Sequence, residues 1–289
     1  MPKISRILMP VDFSERCLGM THYARAIAAK YDAEIILLHV VNPVLVAPDV
    51  GMGPAAMITT PKWLIDEKAK LLEQFATKEL EGVRVTRLVY EGIPEAQIVD
   101  MAQTDEIQLV IMPTHGYGTF RRFLIGSVTA KVLDDLAGPV LTGVHMERHA
   151  HDLQEEFKSV ACAIDLEQSS AETLLTAASF AHDFGAKLAV VHVRPSTGPG
   201  SSATTADLKP QLEELVEAEL TKHQLHFEPG RFMVCVQTGE ISRTICDFAE
   251  RQGAGLLVIG REHKGQQGGR LQTHTYSIIR QSACPVLSV

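Results

Sequence analysis

The stretch Leu109 to Leu133, LVIMPTHGYGTFRRFLIGSVTAKVL, decides how the rest of the chain is read. Its first residues, Leu109 to Met112, form a short apolar run of the kind that makes a buried strand. A loop holding Gly116 and Gly118 follows, and a helical pattern restarts at Gly126-Ser127. Strand, glycine-bearing loop and helix start in that order make a natural anion site. The first amides of a helix have no internal partner, and the helix dipole favours negative charge. A nucleotide phosphate is expected there.

Outward from this stretch, strands and helices alternate. Ile4 to Met9 reads as a strand ending in Pro10-Val11-Asp12, and Ser14 as the N-cap of a helix running to about Tyr31. EIILLHVV, Glu34 to Val41, is a continuous apolar run suited to a strand covered on both faces. Asn42 to Pro61, rich in Pro, Gly and Met, is expected to be a long mobile loop. A helix carrying Leu64, Leu71, Leu72 and Phe75 follows, then a strand from Val83 to Tyr90, a turn at Gly92-Ile93-Pro94 and a helix from Glu95 to about Thr104. Beyond the opening stretch, a helix from Ser127 to Leu136 leads to a strand from Pro139 to Val144. Such alternation specifies an α/β fold with a parallel sheet.

The second half repeats the first. Asp12 in MPVDFS matches Asp165 in CAIDLE, and His39 in LLHVV matches His192 in VVHVR, both at an offset of 165 − 12 = 192 − 39 = 153. Gly92 matches Gly239 at 239 − 92 = 147, and Pro139 matches Pro285 at 285 − 139 = 146. The second copy therefore has a shorter middle loop and lacks one residue in the phosphate-loop region. Two domains are expected, 1–147 and 155–289, with a linker near His145 to Gln154. Pro195 to Asp207, PSTGPGSSATTAD, is the most disorder-like segment, because it has no apolar anchors to offset its ordering entropy.

Composition narrows the function. At 289 residues and 45% hydrophobic content the chain is globular, and no apolar run approaches the roughly 18 residues needed to span a membrane. MPKISRILMPVDFSE does not resemble a signal peptide, so a cytoplasmic location is expected. A formal charge of −8 argues against a nucleic-acid binder. Five cysteines without CxxC spacing suggest neither a disulfide framework nor zinc, and most are expected to be small core residues. His145, His149 and His151 cluster in the linker, but no carboxylate or cysteine spacing supports a metal site. GxxxxGK[ST], GxSxG, HExxH and a GxGxxG after the first strand are all missing.

Ligands of open parallel sheets bind at the carboxyl ends of strands, where strand order reverses. The residues gathered there in the first half are Asp12, Val40-Val41 and Met112 to Gly116, a set that suits an adenine nucleoside. Phosphates are expected against the amides of Gly126, Ser127, Val128 and Thr129, with the Ser127 and Thr129 hydroxyls as extra donors, Arg121 or Arg122 as countercharge and His115 alongside. Each has a plainer reading. Asp12 and Asp165 suit turns or N-caps, His39 and His192 suit satisfied structural histidines, and Arg121-Arg122 suits a solvated loop.

ILMPVDFS, LLHVV, EGIPEAQIV, THG with nine residues before GSVTAKVL, and a closing GPVL together resemble the universal stress protein family, twice over nearly the whole chain. The resemblance implies two tandem doubly wound domains, each a five-stranded parallel sheet of order 3-2-1-4-5 with helices on both faces. It also implies ATP, AMP or ADP, with Mg2+ an optional companion, contacted by Asp12, Val40, Gly116, Gly126, Ser127 and Thr129, and a stress-response role without a well-defined reaction. The first glycine of the family's G-2x-G-9x-G-[S/T] pattern is Pro113 here, which lacks an N–H where the chain passes the ribose. In the second half Gly260 restores that glycine, while the Gly-Ser pair becomes Gln272-Thr273, so Asp165, Val193, Gly260 and Thr273 make a degenerate set. Nucleotide occupancy is expected to order Asn42 to Pro61 and Pro113 to Ile125 and so alter a surface that a protein partner reads. Rival readings are an interaction protein with a vestigial site and a slow ATP hydrolase. The last strands, Pro139 to Val144 and Pro285 to Val289, would lie at sheet edges, and the two halves are expected to join through them in a pseudo-two-fold arrangement. Dimerisation of two chains is left open.

Overall fold

The computed structural model describes residues 4–46, 57–104, 106–115, 125–143, 157–165, 170–196, 205–261 and 274–289. The first half runs β1 (Arg6–Pro10), α1 (Glu15–Tyr31), β2 (Glu34–Val41), β3 (Val44–Val46), β4 (Met57–Thr59), α2 (Lys62–Gln74), β5 (Arg84–Glu91), α3 (Pro94–Thr104), β6 (Leu109–Pro113), α4 (Ser127–Asp135) and β7 (Val140–Gly143). The second runs β8 (Ser159–Ala163), α5 (Ser170–Asp183), β9 (Lys187–Pro195), α6 (Thr205–Lys222), β10 (Phe232–Gly239), α7 (Ile241–Arg251), β11 (Leu256–Ile259), α8 (Thr275–Gln281) and β12 (Val286–Ser288). Two expected loops are corrected. Asn42 to Pro61 contains the antiparallel pair β3–β4, and Thr205 to Asp207 already belong to α6. The linker at His145 to Gln154 lies outside the described residues.

The main sheet has ten strands in the order β10-β9-β8-β11-β12-β7-β6-β1-β2-β5. Without the small β3–β4 pair, each half counts 3-2-1-4-5, every neighbour within a half being parallel. Alternate strand residues point to opposite faces and both faces are covered, which is why these strands read as unbroken apolar runs. Ile7, Met9, Ile35, Leu37 and Ile111 pack with Ile27, Leu72, Phe180 and Leu212 from α1, α2, α5 and α6. Leu8, Ile36, Leu38 and Val110 pack with Ile98, Val132, Ile245 and Ile278 from α3, α4, α7 and α8.

The terminal strands β7 and β12 are edges of their own halves only, because they pair antiparallel with each other. Leu141 sits opposite Leu287, its own repeat equivalent at 287 − 141 = 146, so a pseudo-two-fold axis passes between them. Above the seam α1 approaches the second half. The Tyr31 hydroxyl donates to Asp183 Oδ2 at 2.8 Å. At the equivalent positions, 153 residues apart in each case, Lys30 Nζ stands 5.8 Å over the Phe184 ring. Phe157 fills the middle, with ring centroids 5.9 Å from Tyr23, 5.0 Å from Phe180 and 4.9 Å from Phe184. Cys17, Cys162, Cys246 and Cys284 are buried, Cys235 is half-buried, and all five are free thiols.

Candidate functional site

Strand order reverses between β1 and β6, and the two strands part as they leave the sheet. Their ladder runs through Ile7 with Leu109 and Leu8 with Val110. Val11 stays attached to β2 through its amide on the Leu38 carbonyl at 2.8 Å, and the turn that follows aims Asp12 at the gap. Phe13 holds a left-handed backbone, φ 64°, a costly conformation for a bulky residue. Its ring packs 4.6 Å from His39 and 5.8 Å from Phe75, which offsets that strain. Ser14 then caps α1, its hydroxyl oxygen accepting from the Cys17 amide at 3.1 Å.

Asp12 is partly a turn residue, since Oδ1 accepts from the Ser14 amide at 2.9 Å and the Ser14 hydroxyl at 2.7 Å. A carboxylate has about four lone-pair sites, so these bonds leave it able to accept from a ligand hydroxyl. His39 Nδ1 lies 2.7 Å from the Val11 carbonyl oxygen, which assigns the ring hydrogen to Nδ1. Burial holds this imidazole below its ordinary pKa, against the opposing pull of that carbonyl. The second half repeats the bond, His192 Nδ1 to Ile164 O at 3.0 Å, again across 28 residues, so both histidines tie a strand end to its neighbour.

The other wall comes from β6 and α4. The Gly126 amide donates to Thr114 O at 2.8 Å, and the first intrahelical bond runs from Ala130 N to Gly126 O at 2.8 Å. The amides of Ser127, Val128 and Thr129 precede that bond, and no side chain caps this end of α4. By contrast, Ser14 caps α1 and the Glu240 carboxylate caps α7. The Thr129 hydroxyl, expected as an extra donor, is corrected: it is buried and donates to the Pro113 carbonyl at 3.0 Å, tying α4 to β6. The Ser127 side chain is exposed.

Between these walls lies a cavity of about 290 Å³, near the lower end of small-ligand sites. It is lined by Asp12, Val40, Met112, Pro113, Gly126, Ser127, Val128 and Thr129, which the sequence singles out, and by Pro10, Val11, Leu38, His39, Pro94 and Ile98. Pro94 and Ile98 sit one turn apart at the start of α3, an apolar spacing present in GIPEAQI. His115 stands just outside, half-buried, its Nδ1 3.0 Å from Thr114 Oγ1. Gly116, Arg121 and Arg122 lie outside the described residues.

Pro113 costs no ladder bond. The amides of Val110 and Thr114 face β7, donating to Pro139 O at 3.0 Å and Gly143 O at 3.2 Å. Position 113 therefore faces the β1 side, beyond the last β1–β6 pair. Its missing N–H falls in the cavity wall, where its ring adds apolar surface.

In the second half Asp165 meets the Ser170 hydroxyl at the start of α5, and Val193 is buried. A side chain at Gly260 would come within 3.0 Å of Thr173 Oγ1. Thr275, the equivalent of Thr129 at an offset of 146, is buried, and its hydroxyl makes no hydrogen bond among the described residues. Gln272 and Thr273 lie outside them. Among the described residues no group of three or more His, Cys, Asp or Glu is placed to hold a metal, and no helix is long and apolar enough to cross a membrane.

A model of the universal stress protein family matches residues 3–142 and again 156–289. Universal stress protein MJ0531 of Methanocaldococcus jannaschii is 34% identical over 143 residues, covering 47% of this chain and 79% of that protein. A universal stress protein of Mycolicibacterium smegmatis is 24% identical over 292 residues, covering 98% of this chain and 96% of that one. The crystal structure of a universal stress protein from Archaeoglobus fulgidus superposes with a TM-score of 0.73 at 23% identity, covering 100% of this chain and 98% of that one.

Proposed function

The chain belongs to the universal stress protein family, and from that premise we propose that its first half binds ATP or a related adenine nucleotide and that the protein acts as a cytoplasmic stress-response regulator. The observation that carries this reading is the uncapped start of α4 opening into the cavity between β1 and β6. Three unpartnered amides and the positive end of a helix dipole suit phosphate oxygens. The ends of β2 and β6, with Val40 and Met112, suit the flat face of a base, and Asp12 suits a ribose hydroxyl. Any Mg2+ would arrive with the phosphates, as this ion commonly keeps its waters and takes one or two carboxylates.

The protein is a binder and reporter of nucleotide in this reading, and a partner protein reads the surface around the occupied site. Heat-denaturing the purified chain and analysing the supernatant for released adenine nucleotide, followed by calorimetric titration of ATP, tests it. Binding in the micromolar range that Asp12→Ala weakens is the expected result. No released nucleotide together with no binding at millimolar ATP overturns the reading and leaves an interaction protein.

A further inference from the structure

α4 begins at the cavity and ends in the grip of the other half. Arg261 follows β11 by two residues and is 7% exposed. Its Nη1 donates to the Leu133 carbonyl at 2.6 Å, and its Nη2 donates to the Gly138 carbonyl. Leu133 lies in the last turn of α4, where helix carbonyls lack internal partners. Farther up the same helix, the Tyr276 hydroxyl of α8 lies 3.1 Å from the Ala130 carbonyl oxygen and 2.6 Å from Asp134 Oδ1. Two side chains of the second half thus hold the middle and the end of a nine-residue helix whose start faces the cavity.

A buried guanidinium is an expensive fastener. Burial pushes the pKa of Arg261 down to about 10, and its Nε makes no hydrogen bond among the described residues. The equivalent position in the first half, 261 − 147 = 114, is Thr114, whose hydroxyl donates within its own half to Gly143 O at 3.2 Å. Beyond the end of α8, Ser282 donates locally to Cys284 O at 2.7 Å. A short helix is marginal alone and takes its orientation from what it packs on. Its amides hold an anion only while they point at it, so a change at the far end of α4 is felt at the near end.

We propose that Arg261 and Tyr276 are positioning residues for the anion-facing start of α4, so that the second half sets the phosphate affinity of a site it does not touch. The inference rests on the nucleotide reading of that site.

Full-length Tyr276→Phe, Arg261→Met and Arg261→Lys would be titrated with ATP and, in parallel, with adenosine, and backbone hydrogen exchange would be followed without ligand at the hydrogen-bonded amides of α4, residues 130–136. Expected are losses of ATP affinity of about fivefold in Tyr276→Phe and about tenfold or more in Arg261→Met, partial recovery in Arg261→Lys, unchanged adenosine binding, and faster exchange at 130–136. A general loosening of the fold would lower both affinities together, and that result overturns the proposal. So does a folded variant with wild-type ATP affinity. If the wild type binds neither compound, the nucleotide reading falls, and exchange decides the rest: acceleration confined to α4 upholds the positioning role, and wild-type exchange overturns it. Should Arg261→Met fail to fold, Tyr276→Phe carries the test, since Tyr276 is 36% exposed and keeps its ring.

Discussion

Gly126→Ala separates a glycine needed by the ligand from one needed by the fold. Gly126 has φ −61° and ψ 149°, a backbone that any residue adopts. An added Cβ would meet the Thr114 carbonyl oxygen at 3.4 Å, His115 Cα at 3.8 Å and Thr129 Oγ1 at 4.0 Å, which are ordinary contacts. Alanine in place of glycine at an N-cap costs up to about 1 kcal/mol. The reduced freedom of the unfolded chain returns about 0.4–1 kcal/mol. The two nearly cancel, so the melting temperature should move by less than about 2 °C. Binding should respond differently, because the new methyl narrows the entrance that leads phosphate to the first amides. Losing one hydrogen bond to a charged group costs about 1.5–3 kcal/mol, at least tenfold in Kd. Calorimetry with ATP on wild type and variant, alongside thermal melts, reads both quantities. Wild-type ATP affinity in the variant would refute phosphate placement at α4, and a drop of several degrees in melting temperature would show that the glycine serves the fold.

Phe157→Ala should destabilise the chain by about 3 kcal/mol in urea titrations, at the low end for a buried phenylalanine because Phe157 also floors an open groove that water can enter; a loss under about 1 kcal/mol would mean that the aromatic cluster does not join the halves. Stability should fall as pH drops below about 6.5, because His39 and His192 have depressed folded-state pKa values and the unfolded chain takes up their protons first. In a double His39→Gln, His192→Gln variant that slope should flatten, and an unchanged slope assigns it elsewhere. Pro113→Gly should keep the fold, since no ladder bond is at stake, and lose about 1 kcal/mol through a freer unfolded chain; a much larger loss would contradict the orientation of position 113. Under native conditions Ellman's reagent should react quickly at Cys235 alone, and rapid reaction of three or more thiols would contradict the burial of the others.

Much of the fold was legible because it rests on local chemistry and on repetition. Glu34–Val41 was readable as a strand to both ends, since a doubly covered strand has no polar face to blur its limits. Ser14 was readable as a cap because its bond spans three residues. The expected joining of the two halves through their last strands is met by the antiparallel β7–β12 pair, and the register that sets Leu141 opposite Leu287 is seen only in the structure. The β3–β4 pair was missed because the Pro and Gly around it signal a loop, and three-residue strands carry too little pattern to outweigh them. Within the site, Asp12, Met112 and the start of α4 were legible from strand ends and the helix start. The diversion of the Thr129 hydroxyl to Pro113 was not, nor was Arg261, whose partners lie 128 and 123 residues away and leave no periodic trace.

The antiparallel β7–β12 junction, made inside one covalent chain, removes a restriction that identical subunits must obey. When two copies meet about a true dyad, every contact is made twice, and a substitution that helps on one side is imposed on the other. Here each position is encoded separately on the two sides. Tyr31 can therefore bond Asp183 while the mirrored place holds Phe184 and Lys30, and Arg261 can reach across while its counterpart is a threonine. The tether also makes closure of the junction independent of dilution, since the second half is always present at high effective concentration. Such a molecule is free to let its two halves diverge in what each position does.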